Sequence, residues 1–354
     1  MSLSDELRDD ERDVRRTRVE SDALKAELER ARRELDYLTD VRSLAGMFSA
    51  RNIAAPAWTR TPTKNRAGRP KAIATLQLSD THFDETITDA EILGYNRYDR
   101  RIAELRLRRL GEKTIEVGRE FIGGVDYEGI VILATGDIFS GDIHEELRLT
   151  NVTSLYASCA YWVGNMVAWL RLLADDFGKV HVGAVVGNHG RNTNKPIYKG
   201  RAHNNIEWLF WHYVADVLKA HGDKRITFDI ADGLSHNMTV YTTTYAFEHG
   251  DEFKGGSGIS GAKSPLMLGQ HRTAVQRIAM GAPLDWMVVG HFHQYQAPGQ
   301  GLIMGGSLKG YDEYASGRHF RPEIPQQGFW VTTPERGPTV FAPIQPMDRQ
   351  DEGW

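Results

Sequence analysis

Beyond residue 71 the chain alternates short, uninterrupted apolar runs with longer stretches in which apolar positions return every three or four residues. The first pattern is that of strands buried on both faces and the second that of amphipathic helices, so their alternation predicts an α/β body. Strands are expected at Ile73–Leu78, Ile130–Ala134, Val180–Val186, Ile226–Ile230, Thr239–Phe247, Trp286–Val289, Leu302–Met304 and Phe329–Thr332. Helices are expected at Arg97–Phe121, Thr153–Phe177, Asn204–Ala220 and Pro265–Met280. Trp162, Trp169, Trp208 and Trp211 sit at helical spacing among apolar neighbours and read as core.

The first 42 residues obey a different rule. They hold 13 acidic and 10 basic residues without Pro or Gly, which predicts one long solvated helix. Leu3, Asp10, Thr17, Leu24, Ala31 and Leu38 form one heptad row, and Leu7, Val14, Ser21, Leu28 and Leu35 the other. The seam is apolar only from Leu24 to Leu38, so a short coiled coil that pairs copies of the chain is expected. Val41 to Ser79 contains no acidic residue, while Arg42, Arg51, Arg60, Lys64, Arg66, Arg69 and Lys71 carry positive charge. The expected organisation is a helical arm over residues 1–45, a basic linker over 46–71, the body over 72–342 and a loose tail over 343–354.

Composition narrows the class. With 41% hydrophobic, 25% charged and 10% aromatic residues, the chain is neither wholly disordered nor collagenous. A net charge of -4 means that any nucleic-acid surface must be local. The single cysteine, Cys159, has no partner for an internal bridge, and the charged N-terminus lacks an apolar leader, so a reducing, cytoplasmic setting is expected. No apolar run reaches the roughly 18 residues of a membrane span, and no membrane partner is expected.

The chemistry lies just past the strand ends. Ser79-Asp80-Thr81-His82, Thr135-Gly136-Asp137, Gly187-Asn188-His189, His249-Gly250 and Gly290-His291-Phe292-His293 each follow an apolar run. Open α/β sheets place their sites at the carboxyl ends of strands. Asp80, His82, Asp137, Asn188, His249, His291 and His293 form a carboxylate, imidazole and amide set without thiolates, which suits a pair of divalent metals better than a structural zinc.

In their order and spacing these five motifs resemble the calcineurin-like metallophosphoesterase superfamily, over about Ala72 to Phe341. The resemblance implies a sandwich of two β-sheets flanked by helices (αββα) with a dinuclear centre at one edge. It places Asp80, His82 and His293 on the first metal, Asn188, His249 and His291 on the second, and Asp137 between them. It makes His189 the group beside the metals that protonates the leaving alkoxide or assists the charge that develops there, and implies phosphodiester hydrolysis by a hydroxide that the two metals generate. Mn2+ is the expected metal, with Fe, Zn, Co and Ni accepted by the same ligands. Asp142 and Asp251 are candidates for orienting ligand imidazoles.

Departures from the family pattern bear on the substrate. Protein phosphatases of the superfamily carry Gly-Asp-x-Val-Asp-Arg-Gly, and the segment here, Gly136-Asp137-Ile138-Phe139-Ser140-Gly141-Asp142, has no such arginine. Two enzyme readings remain: a nuclease resembling the SbcD type, acting on DNA, or a phosphodiesterase or phosphomonoesterase for a small, cyclic or linear nucleotide. The segment from Arg191 through Lys195 and Tyr198 to Arg201 offers cations and an aromatic ring to a nucleic acid. Lys309, after the last ligands, is a further substrate candidate, and the glycine-rich run from Lys254 to Lys263 reads as a lid or connector. Arm, linker and body together resemble metallophosphoesterases encoded by some bacterial viruses. The reading of another class is a coiled-coil scaffold whose phosphoesterase body is inactive.

Overall fold

A computed structural model describes residues 25, 55–63, 68–253, 263–299 and 301–354. Apart from Lys25, the heptad arm lies outside the described residues, as does the glycine-rich run after Phe253. The strands are β1 (Lys71–Leu78), β2 (Asp126–Ala134), β3 (Val180–Ala184), β4 (Ile226–Ile230), β5 (Ser235–Val240), β6 (Thr243–Glu248), β7 (Trp286–Val289), β8 (Gln296–Gly299), β9 (Leu302–Met304), β10 (Gln327–Thr333) and β11 (Gly337–Ile344). The helices are α1 (Arg100–Glu116), α2 (Glu145–Thr150), α3 (Leu155–Phe177), α4 (Ile206–Ala220), α5 (Lys263–Ala279), α6 (Glu313–Gly317) and α7 (Arg349–Glu352).

The strands form two mixed sheets, ordered β11-β10-β1-β2-β3-β4 and β5-β6-β7-β9-β8. β1 to β4 run parallel in the first sheet, and β6, β7 and β9 run parallel in the second. The two-residue period of a strand sorts the core into layers. Ala72, Ala74, Leu76 and Leu78 of β1 join Leu107 and Leu110 of α1, Trp162 and Leu170 of α3 and Trp211 of α4 in one buried cluster. Ile73, from the opposite face of β1, packs with Val131 and Leu133 of β2 and with Tyr245, Phe247, Val288 and Ile303 of the second sheet. Leu266 of α5 meets Met287, Val289, Leu302 and Met304 on that sheet's outer face. Helices therefore cover both outer faces of a two-sheet sandwich, which is why the central strands read as continuous apolar runs. The four tryptophans read as core are all buried.

Several expectations change. The single strand expected over Thr239–Phe247 is a hairpin, with Val240 paired to Thr243 across Tyr241, whose φ is 52°. Hairpin turns favour Asn-Gly or Asp-Gly, and Tyr241-Thr242 gives no such signal. β11 escaped notice because Pro338 and Pro343 interrupt it, as an edge strand allows. Residues 55–63, expected as linker, lie against the sandwich: Trp58 packs on the inter-sheet core and the Tyr241 amide donates to the Thr59 carbonyl at 2.6 Å. The end of the chain, expected loose, is fixed by α7, whose Asp348 side chain accepts from the amides of Gln350 and Asp351. No helix among the described residues is long and apolar enough to cross a membrane.

One buried imidazole of the sandwich lies away from the strand-end motifs. His181 of β3 contacts Thr227 Oγ1 through Nδ1 at 2.8 Å, and its Nε2 is buried without a hydrogen-bond partner. Burial lowers its pKa to about 4, against the pull of Asp229. The folded protein thus binds this proton less readily than the unfolded chain, and the stability tied to the neutral ring is lost as pH falls from about 6.5 towards 4. Relative to pH 7, His181→Gln should gain about 2 kcal/mol on wild type at pH 5, read from urea unfolding at both pH values. A gap between the two proteins that does not change with pH would refute the assignment.

Candidate metal centre

Seven parallel strands run towards the same edge of the sandwich, four from the first sheet and three from the second, and the ligand-type residues follow five of them. Asp80 and His82 follow β1, Asp137 follows β2, Asn188 and His189 follow β3, His249 follows β6, and His291 and His293 follow β7. Local backbone strain marks the same places. Nine described non-glycine residues have positive φ, and Asp80, His82, Asp137, His291 and His293 are five of them. Such conformations persist where surrounding structure enforces them, and they cluster at functional sites. Glycines let the loops close: a Cβ on Gly136 would lie 2.4 Å from the Gly187 amide nitrogen, and one on Gly290 would lie 2.1 Å from Ser79 Oγ.

Three overlapping sets result: Asp80, His82 and His293; His82, Asp137 and His189; and Asp137, His249 and His291. Within each, one ligand atom per residue lies within 4.8 Å of the others. His293 Nε2 is 3.2 Å from Asp80 Oδ1, and His249 Nε2 is 2.9 Å from Asp137 Oδ2 and 3.0 Å from Asn188 Oδ1. His82 Nε2 faces both carboxylates at 3.9 Å and is buried with no hydrogen-bond partner. The structure brings together all seven residues expected as metal ligands, with His189 beside them at 4.0 Å from Asp137 Oδ2.

The electrostatics fit a cation. Burial pushes the Asp80 carboxyl up, but His293 and His249 outweigh it and hold it at about 2. Asp137 is likewise held well below the usual range by His249 and His189 despite burial. Burial and Lys309 lower His82 to about 4, and burial and His249 lower His291 to about 4, so both rings are neutral donors at pH 7. His249 goes the other way: burial would lower it, yet the Asp137 charge raises it well above its ordinary value. Its Nδ1 is engaged by the Thr135 carbonyl at 2.8 Å, so the second proton sits on Nε2, between Asp137 and Asn188. Ionised carboxylates and neutral imidazoles are what a hard or borderline divalent ion requires, and His249 would give up its Nε2 proton to join them.

Supporting side chains that sequence reading missed hold the loops. Glu207 of α4 is fully buried and accepts from the Ile138 amide at 2.9 Å and the Gly187 amide at 2.8 Å. It thereby pins the residues next to Asp137 and Asn188, and burial together with Asp137 pushes its pKa up to about 8. Glu85 lies 3.0 Å from His82 Nδ1 and orients that ring. A carboxylate three residues past a ligand histidine was a readable signal for Glu85. Glu207 offered none, because its loops are remote in sequence.

The other expected residues fare differently. Lys309 does not reach an open surface; it is buried, with its ammonium 2.6 Å from Glu85 and 2.7 Å from Asp312, so it braces His82 through Glu85. Asp251 pairs with Arg201 at 2.6 Å, which occupies both its oxygens and takes Arg201 out of any substrate surface. Asp142 is exposed. Arg191 is half-buried and donates to the Asn188 carbonyl at 2.9 Å, while Lys195 and Tyr198 are exposed. His189 Nδ1 donates to the Ser140 carbonyl at 2.6 Å, leaving Nε2 directed at the cluster.

Fold and site together define an α/β sandwich with a His/Asp cluster able to hold metal ions at the shared carboxyl edge of its two sheets. No protein-family model matches the chain, and no curated protein matches it. It is similar to the solution structure of Thermotoga maritima protein TM1076, at 15% identity over 76% of this chain and 97% of that one, with a TM-score of 0.26. It is also similar to sulfate thiohydrolase SoxB of Thermus thermophilus in complex with glycerol (11% identity, 79% and 57% covered, TM-score 0.29). A third similarity is to phosphopantetheinyl hydrolase PptH from Mycobacterium tuberculosis (10% identity, 71% and 93% covered, TM-score 0.27). Likenesses this low assign neither family nor chemistry, and the class of the site follows from its own donor set.

Proposed function

We propose that this chain is a dinuclear metallophosphoesterase of the calcineurin-like superfamily that hydrolyses phosphodiester bonds, with DNA as substrate. The observation that carries the reading is the convergence of five strand-end motifs into three overlapping ligand sets, two of which share Asp137. Two divalent ions held there, Mn2+ foremost, supply charge to phosphoryl oxygens and acidify water.

The protein's own groups do the rest. Asp80 and Asp137 stay ionised, while His82, His293, His249, His291 and Asn188 leave the centre net positive towards an anionic ester. His189, fixed through Nδ1 by the Ser140 carbonyl, turns Nε2 to the cluster and is the group to pass a proton to the leaving oxygen. Arg191 holds the Asn188 backbone, and the exposure of Lys195 and Tyr198 beyond it supports the reading of a polymeric substrate.

The test strips the full-length protein with chelator and restores Mn2+, then Fe, Zn, Co and Ni in turn. Substrates are single- and double-stranded DNA, RNA, a cyclic nucleotide and bis-nitrophenyl phosphate. Metal-restored cleavage of DNA and of the nitrophenyl diester is the expected result. Turnover of small esters alone would replace DNA by a small nucleotide, and none with any metal would overturn the enzyme reading.

A further inference from the structure

Beyond β9 the chain runs through Gly305 to Asp312 into the short helix α6, and the residues after it were assigned no role by the sequence. From Tyr314 to Pro322 there is no acidic residue, while Arg318, His319 and Arg321 supply basic groups. All three are exposed. Two aromatic rings stand among them: Tyr314 is 60% and Phe320 51% exposed, with centroids 6.2 Å apart and planes at 75°. The Arg318 guanidinium lies 5.5 Å from the Tyr314 ring centre.

This cluster is held rigidly. His319 closes α6 in the left-handed region at φ 57°, and its amide and that of Phe320 bond back to the carbonyls of Ser316 and Ala315 at 3.0 and 2.9 Å. That is a Schellman closure, whose usual apolar contact here is Phe320 against Tyr314. Histidine rather than glycine takes the left-handed position.

Both ends are tied to the metal cluster. On one side Asp312 caps α6 and pairs with Lys309, which reaches His82 through Glu85, while the Leu308 amide donates to the Asp80 carbonyl at 3.1 Å. On the other, Glu323 accepts from the Tyr295 amide at 2.7 Å, two residues past His293. The platform therefore flanks the His293 side of the cluster.

We infer that Tyr314, Arg318, Phe320 and Arg321 form a binding platform for single-stranded nucleic acid, feeding the polymer to the metal cluster from its His293 side. This rests on the phosphodiesterase reading above and extends it by naming the form of the substrate. Exposed rings stack on unpaired bases of any sequence, and guanidiniums between them meet the phosphates; a paired duplex presents no free base faces to such rings.

Fluorescence anisotropy of labelled oligothymidylate with the full-length protein in chelator tests this without any turnover. Wild type should bind it more tightly than a duplex of equal length. Tyr314→Ala and Phe320→Ala should each weaken binding roughly 5- to 100-fold. Arg318→Ala combined with Arg321→Ala should flatten the salt dependence by about one to one and a half in log-log slope. Phe320→Leu keeps the apolar closure and should keep the melting temperature, yet still lose affinity. No binding by wild type, equal affinity for duplex, or variants that bind like wild type would overturn the platform. Absence of metal-dependent hydrolysis of bis-nitrophenyl phosphate by wild type would instead count against the phosphoesterase reading and leave this binding result standing.

Discussion

Asp137→Asn is expected to reduce metal-dependent hydrolysis of bis-nitrophenyl phosphate by at least ~1000-fold, roughly 4 kcal/mol of barrier. Among the described residues Asp137 is the one carboxylate shared by two of the three ligand sets: Oδ2 lies 2.9 Å from His249 Nε2, 3.9 Å from His82 Nε2 and 4.0 Å from His189 Nε2. Its other oxygen accepts the His189 amide at 2.7 Å. That bond fixes how an asparagine must sit, with its carbonyl towards His189 and its NH2 group towards the cluster. The substitution therefore removes a negative charge and also aims two N–H donors at the place a cation would occupy. Shape and the bond to His189 are retained, so the variant should melt close to wild type in chelator. Mn2+ should raise the wild-type melting temperature through binding to the native state, and raise the variant's by much less. Wild-type turnover or full Mn2+ stabilisation in Asp137→Asn would remove Asp137 from the centre of the site.

The ligand set was legible because its signals are local. An apolar run and the histidine or carboxylate just past its end are neighbours in sequence, and parallel strands then bring such segments to one edge. Supporting charges are different, since their meaning depends on partners distant in sequence. Lys309 reads as a free cation until the fold seats it on Glu85, 224 residues earlier, and Arg201 does so until Asp251 takes it, 50 residues on. Glu207 looks like an ordinary residue in the first turn of a helix, but α4 drives it into the backbone between two loops. The hairpin of β5 and β6 was hidden by a turn lacking Gly and Asn. The exposed rings at Tyr314 and Phe320 were hidden because no periodicity distinguishes a surface aromatic from a buried one.

Arg106→Ala should cost about 3–5 kcal/mol of stability and lower the melting temperature by on the order of 10 °C, although the residue lies outside the metal cluster. Arg106 is fully buried on α1, and its guanidinium is saturated. Nε and Nη2 hold the two oxygens of Glu352 at 3.0 and 2.9 Å, Nη1 reaches the carbonyls of Leu308 and Lys309, and Nη2 also reaches Asn96 Oδ1 and the Arg97 carbonyl. Alanine leaves Glu352 as a buried carboxylate whose other bond partners among the described residues are the Trp354 indole and the Asp348 amide. Lysine should not rescue it, because a compact ammonium cannot span a bidentate carboxylate and backbone carbonyls on the far side. Replacing both partners, as Arg106→Met with Glu352→Leu, should recover part of the loss, since it removes the stranded charge along with its partner. The consequence reaches the cluster through one short segment. Leu308 and Ser307 donate to the Asp80 carbonyl at 3.1 and 2.9 Å, and Arg106 grips that segment from behind. Urea unfolding should therefore show the stability loss, and a Mn2+ titration of the folded variant should need more metal than wild type. If Arg106→Ala unfolds like wild type, the C-terminal helix does not clamp this segment, and the bonds of Asp80 to Leu308, Ser307, Gly136 and the His291 amide hold it without help from Arg106.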